Sequence, residues 1–145
     1  MSDGRTYLDR PLIGVGAVVL YQGLVLLIRR ARPPRQGQWS IPGGLLELGE
    51  TFEAAVRREV HEETGLELGP LVFLEVVDLL DRDDAGRVRR HYILIDVTAE
   101  ALQSQVVPSD EVLDAAWFAP SEIDEMGLWS ETARIIGRAC AHHGL

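Results

Sequence analysis

The run RREVHEETGL, residues 57–66, sets Glu59, Glu62 and Glu63 within five positions of one another. The segment that carries it, 52–64, has a helical pattern. Thr51 suits an N-cap, Glu53 falls in the first turn, and Gly65 stands just past the end. With about 100° between successive residues on a helical wheel, the three glutamates share a half with Phe52, Ala55, Val56 and Val60. The other half holds Glu53, Ala54, Arg57, Arg58, His61 and Thr64. The acids are thus expected on the inward, apolar side, where like charges at i,i+4 repel and desolvation adds to the cost. Protonation of some carboxylates, or a bound cation, relieves that cost. Carboxylate oxygens suit Mg²⁺ or Mn²⁺, and a structural ion-pair network is the plainer alternative. Either way the helix must border a groove at the edge of a core, because full burial of three carboxylates is prohibitive.

Around this helix the sequence alternates between β-rich runs and turns. Residues 12–20 (LIGVGAVVL) and 24–29 (LVLLIR) predict a hairpin, with Gly23 at a turn position. GVGAVV is not a dinucleotide fingerprint, since Val19 stands where the third glycine belongs and the run lies inside a strand. Residues 31–44 predict an ordered loop around a short strand at Trp39–Ile41. Strands are expected at 70–78, 88–98 and 113–118, the first two joined by DRDDAGR, and a C-terminal amphipathic helix at 130–142. The class is α/β in the broad sense (α+β), a single domain over 1–145, with 1–10 a flexible or strand-forming N-terminal arm.

The balance of 23 acids against 14 bases gives a formal charge of −9, the wrong sign for a protein that binds a nucleic-acid polymer. The one cysteine, Cys140, excludes an internal disulfide and fits packing in a reducing compartment. No apolar run is long enough to span a membrane and no secretory signal is evident, so a cytoplasmic protein without membrane partners is expected.

From Gly44 the sequence reads GLLELGETFEAAVRREVHEETGL. Gly44, Glu50, Arg58-Glu59, Val60, Glu62-Glu63 and Gly65-Leu66 resemble every fixed position of the Nudix box, and GQWSIPGG and AAWFAPSEI resemble its flanks. The resemblance implies an α/β/α sandwich on a mixed sheet with a catalytic loop–helix–loop. It also implies Mg²⁺- or Mn²⁺-dependent hydrolysis of a nucleoside diphosphate linked to another moiety. Glu59, Glu62 and Glu63 match the metal-binding glutamates, and the Gly43 carbonyl matches a backbone metal ligand. Arg58 matches the arginine that orients a catalytic glutamate, and Glu50, the box's other acid, is expected to support these residues from behind, with loop structure as its alternative. Some members add an acid from a loop outside the box, and Glu111 is the candidate here, beside Asp110.

Anionic substrate arms need cations, and Arg29, Arg30, Arg32 and Arg35 precede the glycine turn, with Arg90 in a second basic cluster. Solvated strand-end charge is the alternative for these arginines, and packing is the alternative to base stacking for Trp39, Tyr92 and Trp129. The chain looks most like the ADP-ribose-pyrophosphatase-like branch, so ADP-ribose or a related nucleotide sugar is the expected substrate. A (d)NTP-sanitising pyrophosphohydrolase is the second reading. A nucleotide-sensing module without catalysis is the third, although such modules usually lose box acids. A homodimer is expected by family habit.

Overall fold

In this computed structural model residues 4–33 and 35–145 are described. The elements are β1 (Leu12–Tyr21), β2 (Leu24–Arg30), β3 (Trp39–Ser40), β4 (Gly43–Leu45), α1 (Phe52–Thr64), β5 (Val72–Arg82), β6 (Val88–Glu100), β7 (Val112–Phe118), α2 (Pro120–Asp124) and α3 (Ser130–His142). Seven strands form one mixed sheet in the order β3-β2-β1-β6-β5, with β4 paired to β1 and β7 to β2. β1 and β6 run parallel from Leu12↔Tyr92 to Leu20↔Glu100. On one face α1 packs Ala55, Val56 and Val60 against Val15, Ala17 and Val19. On the other, α3 packs Ile135, Ile136 and Ala139 against Val18 and Leu20. The strict alternation along β1 supplies both cores from one strand. A sheet with helices on both faces is the layered arrangement expected from the sequence.

The β1–β2 hairpin turns on Gln22 and Gly23, both at positive φ (49° and 79°), which suits a two-residue primed turn. Only Leu20↔Val25 and Tyr21↔Leu24 pair before the two strands part. The segment Trp39–Leu45 enters the opening, as β3 against β2 and β4 against β1. β4 lies within the stretch expected to be loop. Its residues, Gly-Gly-Leu, carry no strand propensity, and pairing to Gly14, Val15 and Gly16 overrides that. β5 extends to Arg82, beyond the expected end at 78, because its ladder with β6 continues through Asp81↔Arg90. The turn shrinks accordingly to the residues around Asp83, whose Oδ1 accepts from the Ala85 and Arg87 N–H groups at 3.0 and 2.9 Å.

Residues 4–10 form no strand, unlike one of the two expectations for the N-terminal arm. Tyr7 ties them down, with its N–H donating to Arg89 O at 2.7 Å and its hydroxyl to Asp83 at 3.0 Å. Residues 1–3 of that arm lie outside the described residues. No helix among the described residues is long and apolar enough to cross a membrane.

Candidate functional site

A groove of about 720 Å³ is lined by residues of α1, α3 and the sheet. Its acidic part is set by α1. Thr51 caps the helix by accepting from Ala54 N–H at 3.1 Å, and Gly65, at φ 75°, closes the other end by donating to His61 O at 2.8 Å. Beyond it the chain returns along the helix terminus. Val107 N–H donates to Thr64 O at 2.8 Å and Ser109 N–H to Glu63 O at 3.2 Å, so otherwise orphaned carbonyls are satisfied. That return delivers Glu111 to α1. Carboxylate oxygens of Glu59, Glu62 and Glu111 lie within 4.8 Å of one another.

Glu59 and Glu62 of the expected trio meet Glu111 here, while Glu63, only 6% exposed, accepts from Gly43 N–H at 2.9 Å and fixes β4 to the helix. Burial pushes its carboxyl up to about 8, against the pull of the Gly43 N–H. Glu62 is exposed rather than inward, and Thr64, expected toward solvent, is buried with its hydroxyl on Val60 O at 2.7 Å. The wheel ranks directions but not depth, and the loop at 106–111 covers the last turn. Glu59 is half-buried against Gly44, where any side chain would collide with its carboxylate. Burial raises the Glu59 carboxyl above its ordinary range, with Arg58 opposing.

Arg58, assigned by the wheel to the solvent side, is the hub. Its Nε and one terminal nitrogen fork onto Glu50 at 3.1 and 2.6 Å, and that nitrogen also reaches Leu45 O at 3.0 Å. The other terminal nitrogen donates to Glu59 at 2.6 Å and Glu62 at 3.4 Å. All five guanidinium N–H groups are thereby engaged. The bond from Arg58, and then the Glu47 N–H, hold the Glu50 carboxyl below its ordinary range. Three converging carboxylates, two braced by one arginine, are a donor set that fits a hard cation. Gly43, expected to offer a carbonyl ligand, lies on β4 next to Gly44, against which the Glu59 carboxylate packs.

The groove also carries bases. Arg30, Arg35 and Arg90 line the groove, together with Arg5 and Arg32. Burial first, then Arg30 and Arg90, lower the Arg35 guanidinium from its usual value, which places the three within one another's field. Arg35 stacks over Trp129 at 3.6 Å. Arg90 bonds Asp81 at 3.3 Å, while its buried Nε has no partner. Arg29 is turned out of the groove: a bulge separates it from Arg30, and its Nε donates to Gly37 O at 2.8 Å. Of the aromatic candidates Tyr92 and Trp129 line the groove, whereas Trp39 packs edge-on against Phe118. The sequence reading passed over Asp96, also in the groove, although one acid inside the apolar strand YILIDVTA was a visible signal.

Fold and site together define a class: a helix-flanked mixed sheet presenting, in one groove, a carboxylate cluster for a cation and arginines for an anion. Comparison with known proteins is specific. A family model described as NUDIX domain matches residues 10–138. The ADP-ribose pyrophosphatase of Methanocaldococcus jannaschii is 36% identical over 114 residues, which are 79% of this chain and 64% of that protein. The human 8-oxo-dGDP phosphatase NUDT18 is 35% identical over 97 residues, 67% of this chain and 28% of that protein. The crystal structure of a MutT NUDIX hydrolase from Burkholderia pseudomallei matches with a TM-score of 0.77 at 31% identity, covering 90% of this chain and 98% of that one. The chain belongs to the Nudix family. It spans less than two thirds of the length of both curated relatives, 64% and 28%.

Proposed function

We propose that the protein is a divalent-metal-dependent pyrophosphohydrolase, cleaving a nucleoside diphosphate linked to another moiety, with ADP-ribose or a related nucleotide sugar favoured. The observation that carries this reading is the meeting of Glu59, Glu62 and Glu111 within 4.8 Å, in the same groove as Arg30, Arg35 and Arg90. The trio would hold Mg²⁺ or Mn²⁺, which when bound neutralises phosphoryl charge and acidifies water. The chain's own groups do the rest. Arg58 fixes Glu59 and Glu62, Glu50 fixes Arg58, and Glu63 fixes Gly43 beside them. The groove arginines neutralise the diphosphate arm, for which a guanidinium fork is suited. Glu62 and Glu111, both exposed, stand where the attacking water can lose a proton to a carboxylate.

The archaeal ADP-ribose pyrophosphatase supports the nucleotide-sugar substrate. The 8-oxo-dGDP phosphatase relative supports a sanitising enzyme as a second reading. A Mg²⁺-dependent phosphate-release screen over ADP-ribose, other nucleotide sugars, dinucleoside polyphosphates and (d)NDPs or (d)NTPs separates them. Glu62→Gln is expected to fold and to lose about a hundredfold or more in turnover. Near-parent turnover in that variant overturns the site assignment. Turnover of no substrate by the folded parent favours a sensing module.

A further inference from the structure

We propose that Asp96, on the wall of the groove, reads the base of the nucleotide, its carboxylate accepting from an exocyclic amino group. This rests on the nucleotide reading above, and it starts from the GVG motif that the family signature leaves unexplained.

Gly14 and Gly16 alternate on β1, so both face the groove. A Cβ on Gly14 would come within 2.7 Å of Leu94 Cδ2, and one on Gly16 within 2.7 Å of Asp96 Oδ1. Glycine weakens a strand interior and often marks a place where a ligand approaches the backbone closely. Here the space over two successive inward positions is taken by Leu94, Asp96 and Ile41, which the missing side chains allow close onto β1, and all three line the groove. Leu94, Ile41, Ile135 and Trp129 all line that groove, and apolar walls of this kind suit an aromatic heterocycle.

Among the side chains that close onto β1, Asp96 is a carboxylate on the groove wall. Asp96 is 7% exposed, and no described residue donates a hydrogen bond to it. The charges that face it are Glu75 on the neighbouring strand and Arg134 and Glu131 on α3. Glu75 adds repulsion, and the Arg134 guanidinium is already bonded to Glu75 and Glu131. With no donor from the protein, its oxygens open onto the groove, where a ligand's N–H can take the place of water.

Register supplies the distance. Asp96 pairs with Gly16, and Gly16 with Gly43, in one transverse row. Two strand spacings, roughly 10 Å, therefore separate Asp96 from the residue that Glu63 holds beside the carboxylate cluster. A nucleoside bridges such a gap between its diphosphate and the edge of its base. An ionised carboxylate only accepts, so it selects bases that present an amino group and opposes a ring carbonyl in the same place.

Calorimetric titration of the protein in metal-free buffer with AMP, GMP and IMP tests this without turnover. At least one amino-purine is expected to bind tenfold or more tighter than IMP. In Asp96→Asn, whose amide both donates and accepts, that gap is expected to fall below threefold. Gly16→Ala, whose Cβ would press on Asp96 Oδ1 and displace the carboxylate, is expected to narrow the gap as well. The proposal is overturned if IMP binds as tightly as both amino-purines, if no mononucleotide binds, or if Asp96→Asn keeps the gap. An intact base preference in a protein that releases no phosphate would sink the hydrolase reading and leave this one standing.

Discussion

Arg58 and Asp96 show two opposite ways of keeping charge beside a core. Arg58 spreads one positive charge over five acceptors in a planar fork, bracing Glu50 on one side and Glu59 and Glu62 on the other. Lysine keeps the charge but has a single donor centre and no fork. Arg58→Lys is expected to leave the fold intact and lower turnover by about a hundredfold, the usual cost of roughly 1 Å of misplacement at a reacting centre. Unchanged turnover would show that Glu59 and Glu62 hold their places without it. Asp96, in contrast, carries its charge without a hydrogen bond. Burial first, then Glu75, push its carboxyl up from 3.8 to about 6. The folded state therefore holds this proton more tightly than the unfolded chain does. Its contribution to stability is greatest below pH 3.8, declines through the window from 3.8 to about 6, and stays lost above it. Asp96→Asn removes that dependence. Relative to its value at pH 4, the stability of the variant minus that of the parent is expected to rise by up to about 3 kcal/mol at pH 7. Urea unfolding across pH 4–7 measures it, and a flat difference contradicts the buried-charge account.

At the scale of elements, α1 was legible because its information is local. Thr51, the apolar stripe and Gly65 lie in thirteen residues and their flanks, and the helix runs from Phe52 to Thr64 as that pattern requires. Thr51→Ala, losing the cap bond to Ala54 N–H, is expected to cost about 1 kcal/mol in chemical unfolding. What the sequence did not disclose depends on partners distant along the chain. β4 exists because β1 and β2 part, Glu111 joins the acids because Val107 and Ser109 bond the end of α1, and Arg29 faces out because β2 bulges against β7. Alternation and wheel angles contain none of this. The same holds for α3, whose Arg134 and Arg138 both bond Glu75 on β5 and so fix one wall of the groove. Glu75→Ala is expected to speed amide exchange in α3 more than in α1, as an element opens locally when its tether is cut. Equal protection of α3 in parent and variant would assign its docking to the apolar contacts of Ile135, Ile136 and Ala139 alone.

Over the whole molecule a formal charge of −9 coexists with a groove that is locally of both signs, and only the second fact concerns a ligand. Net charge could exclude a polyanion but could not reveal that Arg30, Arg35 and Arg90 converge, since their convergence is made by the sheet. In the same groove three carboxylates meet within 4.8 Å, and Arg58 reaches only two of them. Their mutual repulsion is a load on the metal-free protein that a divalent cation would remove. Mg²⁺ or Mn²⁺ at a hundred times its dissociation constant is expected to stabilise the fold by about 2.7 kcal/mol, or roughly 5–10 °C in Tm for a chain of this size. Chelation should reverse the shift. The double variant Glu62→Gln/Glu111→Gln gives the sharper contrast, because it removes both the ligands and the repulsion. Its metal-free Tm is expected to rise by a few degrees while its response to metal falls to near zero. General damage to the fold would lower the first quantity, and a cation bound elsewhere would preserve the second. Only a site formed by these carboxylates moves the two in opposite directions.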